Sequence, residues 1–242
     1  QKLYYGKNRI DTIEKYHFLF KEKDVILRGD ASVSYLFYKD VPHKIITYNP
    51  DAKVIIMLRN PIDRAFSHYL MDYSLGLTSE SFETIIKKQS KHKNAHLFYQ
   101  QYIEVSEYAK QIKRYLEVFG KDNIYFIDYD DFKNDTSDIV NSVFMFLGVN
   151  NDFQPYLRKQ HNTYTAPKNG MIRYVYSFVP FRKMLASILS KNLTKSIRNL
   201  LFRSDNKPKL PEATRDFLKK YFASDVRELS ELLNKDFTKW IR

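Results

Sequence analysis

Three short runs dominated by apolar residues divide the first half of the chain and predict β-strands. They cover residues 25–27, 53–58 and 123–127, and polar or turn-forming residues follow each of them. Apolar runs of this length are typical of strands that are buried on both faces of a parallel sheet. The pattern therefore predicts a central parallel sheet.

Between these runs, the apolar residues recur with the period of amphipathic helices. Pro61 is predicted to occupy the first turn of one helix, with Asn60 as its N-cap. Gly120 and Gly148 are predicted to end two others, because glycine readily adopts the conformation that stops a helix. The predicted helices cover residues 61–74, 81–90, 102–120 and 135–149.

The order of strands and helices predicts an α/β fold in a single domain, residues 1–242. Right-handed crossovers between successive strands favour a parallel sheet in residues 1–165. Residues 166–242 are expected to be a mainly helical extension of the same domain. The extension is predicted to hold a basic amphipathic stretch over 170–203, a loop over 204–211 and a helical pair over 211–234.

The chain carries 40 basic and 28 acidic residues, and this formal net charge of +12 indicates anionic partners. A solvated basic surface is the alternative interpretation. The basic residues are spread along the chain, without an arginine-rich arm or a known nucleic-acid motif. Nucleic acid is therefore not expected as a partner, whereas the basic stretch 170–203 is expected to line an acceptor cleft or to contact a membrane surface.

Cysteine is absent, which fits a reducing compartment such as the cytoplasm and removes thiolate metal ligands. His92 and His96 have the spacing of one helical turn, but no carboxylate with metal-ligand spacing accompanies them. No metal is expected.

The stretch VIIMLRNPIDRAFSHY, residues 54–69, carries the most informative candidate site. Ligands of parallel α/β sheets collect at the carboxyl ends of the strands, and helix N-termini there attract anions. Arg59 would add a permanently charged, bidentate donor at the end of the strand, and Ser67 a hydroxyl on the helix. The alternative is that Arg59 pairs with Asp63 while Ser67 faces solvent.

The same stretch resembles the 3′-phosphate-binding segment of sulfotransferases that use 3′-phosphoadenosine 5′-phosphosulfate (PAPS). In that family a strand ends in Arg, Pro follows, and a Ser lies eight residues after the Arg, as do Arg59, Pro61 and Ser67 here. Further stretches resemble family segments in the same order, and together they cover residues from about 16 to 242. They are GDASVSY (29–35), YDDF (129–132), FLGV (146–149) and the C-terminal stretch from Lys207 to Trp240.

The resemblance implies a P-loop-like, three-layer fold in which Arg59 and Ser67 bind the 3′-phosphate of PAPS or of its product, adenosine 3′,5′-bisphosphate (PAP). It places Lys168 where bacterial members carry a basic residue, as a further phosphate ligand or as a loop lysine in solvent. It also places Asp30 near the acceptor, as a base or as the acceptor of a structural hydrogen bond.

Two family segments, the 5′-phosphosulfate loop and the segment with the main catalytic base, have no counterpart in this sequence. The base is expected upstream of Gln1, unless the protein has lost half of its cofactor site. Glu14 and His17 are further candidates for the base.

The resemblance implies a cytoplasmic, bacterial sulfotransferase that transfers a sulfuryl group from PAPS to a carbohydrate hydroxyl without a metal. The alternative is a noncatalytic anion- or polysaccharide-binding domain with the same fold. A P-loop nucleoside kinase would require a Walker-type loop, which is absent.

Overall fold

The computed structural model describes residues 10, 12–21, 25, 27–153, 164–177, 193, 200–203 and 207–242. Short 3₁₀ turns cover Glu104–Ser106, Lys121–Asn123 and Thr238–Trp240. The strands are β1 (Val54–Leu58), β2 (Ile124–Asp128), β3 (Ala166–Pro167) and β4 (Phe202–Arg203). The helices are α1 (Ile13–Phe18), α2 (Val41–Tyr48), α3 (Pro61–Ser74), α4 (Phe82–Ile86), α5 (Ala95–Tyr102), α6 (Ala109–Phe119), α7 (Tyr129–Asn134), α8 (Thr136–Leu147), α9 (Gly170–Ser177) and α10 (Glu212–Leu233).

The strands β1 and β2 form a parallel pair, in register from Val54 opposite Ile124 to Leu58 opposite Asp128. Four helices, α3 to α6, connect the two strands and provide the crossover that a parallel pair requires. The predicted α/β class is confirmed, as are the strands predicted at 53–58 and 123–127. Because parallel neighbours end at the same edge, the residues after Leu58 and Asp128 lie side by side.

The strand predicted over residues 25–27 is not found in the described part of that run. Val25 and Leu27 have no regular secondary structure and are 42% and 49% exposed, and Ile26 lies outside the described residues. A strand is stable only when a neighbouring strand takes up its backbone hydrogen bonds, and among the described residues β1 and β2 bond only to each other. An apolar run without such a neighbour stays in an irregular segment.

The helix predicted over 102–120 is interrupted by tertiary contacts. The guanidinium of Arg64, on α3, donates hydrogen bonds to the carbonyls of Gln101 and Tyr102 and to the hydroxyl of Ser106. The chain then restarts as α6, where the half-buried carboxylate of Asp225 accepts the Tyr108 and Ala109 N–H groups. These groups replace the helical hydrogen bonds that the interruption removes.

The helical pair predicted over 211–234 is a single 22-residue helix, α10. No Gly or Pro stands inside it, so nothing in the backbone breaks it, and it ends at Asn234 in the left-handed conformation. Residues spaced at helical intervals face the core and are buried: Leu218, Phe222, Val226 and Leu229. The prediction of two helices was wrong because neither Gly nor Pro stands between Glu212 and Leu233 to break the helix.

The hydrophobic core joins residues of α3, α4, α5 and α6 with α10 and the C-terminal turn. Trp240 is 3% exposed and packs on Phe237 and Tyr108.

The helix α9 lies within residues 170–203, a stretch predicted to be helical. Most of that stretch falls outside the described residues. The short antiparallel pair of β3 with β4 was not predicted. That residues 1–242 form one domain stays a prediction.

Candidate functional site: an anion site at the end of β1

The junction of β1 and α3 has the predicted geometry. Arg59 follows Leu58 directly at the carboxyl edge of the sheet. Asn60 caps α3, because its side-chain oxygen accepts the N–H groups of Ile62 and Asp63. The cap fixes the direction in which the chain leaves the strand, and with it the position of Arg59.

The guanidinium of Arg59 is half-buried and lies over the ring of Tyr129, 5.1 Å from its centroid. Asp63, the alternative partner, pairs instead with Arg215 of α10 at 3.1 Å. No carboxylate among the described residues forms an ion pair with Arg59. The positive charge at the strand end therefore rests on an aromatic ring, and no acid in the described part of the chain pairs with it.

Ser67 lies two turns along α3, and its hydroxyl accepts a hydrogen bond of 2.5 Å from the ammonium group of Lys207. The same ammonium group lies 6.0 Å from the centroid of the Phe66 ring. Burial lowers the pKa of Lys207, and the nearby positive charge of Arg59 lowers it further. The Lys207 ammonium group is therefore bonded to Ser67 on α3 and is close enough to Arg59 for the two positive charges to repel.

Sequence reasoning missed Lys207. It lies in the stretch SDNKPKLP, which was interpreted only as a loop. The available signal was the pair of lysines around Pro208, in a segment that the family resemblance already covered. The contact itself spans 140 residues of chain, so no local pattern predicts it.

Lys168 lies apart from this cluster in the described contacts. Its side chain is exposed, and its backbone N–H donates to the Leu201 carbonyl at 3.0 Å, next to the β3–β4 pair. No hydrogen bond or ion pair between described residues joins its ammonium group to Arg59 or Ser67. Its assignment as a phosphate ligand stays a prediction.

Asp30 belongs to a separate aromatic cluster. Its carboxylate accepts a hydrogen bond of 2.7 Å from the hydroxyl of Tyr35, and burial and this bond together raise the pKa of Tyr35 to about 12. Tyr115 of α6 anchors the segment by donating to the Tyr35 carbonyl at 2.9 Å. Between described residues no contact links Asp30 to Arg59, so its role near the acceptor stays a prediction.

The other upstream candidates also have local partners. The Nε2 atom of His17 lies 2.8 Å from the Tyr48 hydroxyl. Glu14 is exposed, and hydrogen bonds with its own backbone and with Thr12 lower its pKa. The described contacts bring neither residue to the strand end.

His68 follows Ser67 but points into the interior. Its ring lies 3.9 Å from the carboxylate of Asp72, which is fully buried and accepts a hydrogen bond of 2.8 Å from Tyr102. Burial lowers the pKa of His68 to about 4. At neutral pH, His68 is therefore an uncharged packing residue and adds no cation to the site.

The cluster has the chemistry of a phosphate site. A guanidinium offers two parallel N–H donors that match two oxygens of a phosphate group, and an ammonium group and a hydroxyl offer donors to the others. The two positive charges of Arg59 and Lys207 balance the two negative charges of a phosphate dianion. An anion between them would also relieve the repulsion that lowers the pKa of Lys207.

The comparisons with known proteins identify the family. A family model described as "Sulfotransferase domain" matches residues 2–230. A solved sulfotransferase from Alicyclobacillus acidocaldarius has a TM-score of 0.66 and 28% sequence identity, over 96% of this chain and 75% of that one.

Named relatives include heparan sulfate enzymes. The bifunctional heparan sulfate N-deacetylase/N-sulfotransferase 1 of Caenorhabditis elegans is 25% identical over 236 residues, which are 96% of this chain and 25% of that protein. The heparan sulfate glucosamine 3-O-sulfotransferase 6 of Mus musculus is 22% identical over 208 residues, 86% of this chain and 55% of that protein. The chain thus spans about a quarter of the bifunctional relative. Because the family model covers nearly the whole chain, this protein belongs to the sulfotransferase family.

Proposed function

We propose that this protein transfers a sulfuryl group from PAPS to a hydroxyl of a carbohydrate acceptor. The observation that carries the proposal is that Lys207 bonds to Ser67 while close enough to Arg59, at the carboxyl end of β1, for the two charges to repel. No described carboxylate forms an ion pair with Arg59. Such a cluster selects a compact dianion, and the 3′-phosphate of PAPS is one.

In this proposal Arg59 and Lys207 bind the 3′-phosphate by charge-assisted hydrogen bonds, and Ser67 adds a neutral one. PAPS supplies the sulfuryl group, and PAP is the product that leaves. The residues at the strand end act by position and charge, since they hold the nucleotide in one orientation relative to the acceptor. No described residue has to change its protonation state for this role.

The acceptor proposal is supported by the relatives and by charge. The named relatives carry heparan sulfate in their names. A formal net charge of +12 would attract an anionic glycan and raise its local concentration near the protein. A glycan acceptor is therefore proposed, while contact with a membrane surface stays a prediction.

Location in the cell also stays a prediction. Within the described residues, none of the helices combines the length and the apolar character that crossing a bilayer requires. The cytoplasmic, bacterial assignment is supported by the lack of cysteine and by the likeness to a bacterial enzyme.

One observation favours the alternative, a noncatalytic domain that binds anions or polysaccharides. The candidate bases Glu14, His17 and Asp30 hydrogen-bond within their own segments and with Tyr35 or Tyr48. None of these contacts reaches the cluster around Ser67. A domain with the anion site alone would bind PAP or a glycan and transfer nothing.

The first test is calorimetric binding of PAP, with adenosine 5′-phosphate as the ligand that lacks the 3′-phosphate. We expect the protein to bind PAP more tightly than adenosine 5′-phosphate. Arg59→Ala should lower the affinity for PAP by about 10- to 100-fold and so remove this preference. Lys44→Ala is the control, because it removes one positive charge from an exposed pair with Asp40. Equal affinity for both nucleotides in the unaltered protein would overturn the 3′-phosphate site.

The second test measures transfer of radioactive sulfate from labelled PAPS to partly desulfated heparan sulfate. Label in the polysaccharide that depends on Arg59 would support the enzyme. Binding of PAP without any transfer, also to a panel of other glycans, would favour the noncatalytic domain. Absence of PAP binding together with absence of transfer would contradict both the cofactor and the reaction.

A further inference from the structure

We propose that Lys239 is a positioning residue for the anion site, acting on Arg59 through Asp128 and Tyr129. The inference rests on the proposed function only where it concerns nucleotide binding. It starts from the C-terminal turn Thr238–Trp240, which lies against both chain segments that end at the carboxyl edge of the sheet.

The first contact of the turn is with the end of β2. Asp128, opposite Leu58 in the strand register, has a fully buried side chain. One of its carboxylate oxygens accepts the N–H of Asp130 and caps α7, and the other accepts a hydrogen bond of 2.7 Å from the ammonium group of Lys239. This bond raises the pKa of Lys239. The buried carboxylate thus has a cap donor on one side and a cation on the other.

The second contact is with the end of β1. The side-chain amide of Asn60 donates to the carbonyl of Trp240 at 3.4 Å. The indole of Trp240 is buried in the core, so this carbonyl is held by the packing of its own side chain. The turn therefore touches the residue after Arg59 as well as the residue before Tyr129.

Arg59 is next to Asn60 in the chain and lies over the ring of Tyr129, which is next to Asp128. The Tyr129 ring, which follows Asp128 in the chain, has the Arg59 guanidinium 5.1 Å from its centroid and the Lys133 ammonium group 5.2 Å from it. The ring position depends on the first residues of α7, which the Asp128 cap fixes. Loss of Lys239 would leave Asp128 buried without its cation, so the carboxylate would turn toward water and the cap would loosen. The Tyr129 ring would then no longer hold the guanidinium at the strand end.

The test uses two variants that remove the ion pair in different ways. Lys239→Ala removes the cation and leaves a buried carboxylate, so it is expected to lower the melting temperature. Asp128→Asn removes the buried charge, and its single amide oxygen cannot accept both the Asp130 N–H and the Lys239 ammonium group, so it breaks this arrangement without leaving a buried unpaired carboxylate. Lys239→Arg retains a cation and is the rescue variant. Lys235→Ala is the matched control, because Lys235 pairs with Asp131 on α7, also at short distance, 2.6 Å, but does not touch Asp128.

The first readout needs no nucleotide. The Nε–H signal of Arg59 in the NMR spectrum, identified by its loss in Arg59→Ala, should be shifted upfield by the Tyr129 ring. We expect Lys239→Ala and Asp128→Asn to move this signal toward the position of an exposed arginine, and Lys239→Arg and Lys235→Ala to leave it in place. An unmoved signal in both ion-pair variants overturns the inference.

The second readout is the ratio of PAP affinity to adenosine 5′-phosphate affinity, measured well below each melting temperature. A purely structural role would leave this ratio unchanged, whereas a positioning role should lower it about fivefold in both ion-pair variants. An unchanged ratio in a protein that prefers PAP overturns the inference. If the unaltered protein does not prefer PAP, the proposed function fails, and the NMR readout alone decides on Lys239.

Discussion

The ammonium group of Lys207 donates a hydrogen bond of 2.5 Å to the hydroxyl of Ser67, although 140 residues separate them in the chain. This contact brings a second cation close enough to Arg59 for the two positive charges to repel each other. The free protein therefore holds a like-charge pair in the place where an anion would stabilise it.

We predict that Lys207→Met weakens nucleotide binding without lowering stability. The affinity for PAP should fall about 10- to 30-fold, because a hydrogen bond to a charged group is lost. The free energy of unfolding without nucleotide should stay the same or rise slightly, because methionine packs on Phe66 without repelling Arg59. Calorimetry and urea unfolding measure the two quantities. A variant that loses stability together with binding would show that Lys207 is structural.

Asp225 gives a prediction about the pH dependence of stability. Its carboxylate caps α6 from a distant helix, and burial raises its pKa from an ordinary value of 3.8 to about 6, more than the two backbone hydrogen bonds lower it. Since the folded state binds this proton more tightly than the unfolded state, its contribution to stability is full below pH 4. It is lost as the pH rises through about 6.

Urea unfolding between pH 4 and pH 7 can isolate this contribution by comparing the unaltered protein with Asp225→Asn. The asparagine keeps a capping oxygen but does not titrate. We expect the difference in unfolding free energy between the two proteins to change across this pH range in favour of the variant. A difference that is constant with pH would mean that Asp225 titrates at its ordinary pKa.

His68 should act in the opposite direction. Burial lowers its pKa to about 4, so the folded state binds the proton less tightly than the unfolded state does. Its contribution to stability is therefore present above pH 6.5 and is lost as the pH falls through about 4. His68→Gln, a neutral residue of similar size, should reduce this loss on acidification. The same urea series measures it, and a pH profile identical to that of the unaltered protein would contradict the assignment.

Leu218 tests the packing of α10. Its side chain is fully buried in the core, so Leu218→Ala should lower the free energy of unfolding by about 3 kcal/mol. The control is Lys220→Ala, an exposed position on the same helix, which should change it by less than about 0.5 kcal/mol. Equal effects of the two substitutions would mean that α10 does not pack as described.

Local chemistry predicted the elements that need no distant partner. The run Val54–Leu58 is a strand, and Asn60 caps the following helix. Gly120 and Gly148 end α6 and α8, both with a positive φ. Each of these depends on one residue type and its immediate neighbours. The position of Arg59 at the strand end follows from the same local signals, and the resemblance to the family added the expected ligand.

Two of the mistakes concern residues whose structure depends on contacts across the chain. Val25 and Leu27 are apolar enough for a strand, but the described residues offer no strand beside them. The break between Tyr102 and α6 exists because Arg64 and Asp225 satisfy the backbone there. Neither effect can be seen in a local window.

The sequence by itself determined the α/β class, the strand-to-helix junction and the cation at its centre, because apolar periodicity, capping residues and strand-end geometry are local properties. Only the tertiary structure decided which groups surround that cation. It put Lys207 on Ser67, turned Asp63 toward Arg215 and placed the Tyr129 ring against Arg59. The physical reason is that side-chain hydrogen bonds and ion pairs form between residues that folding brings together, regardless of their separation in the chain.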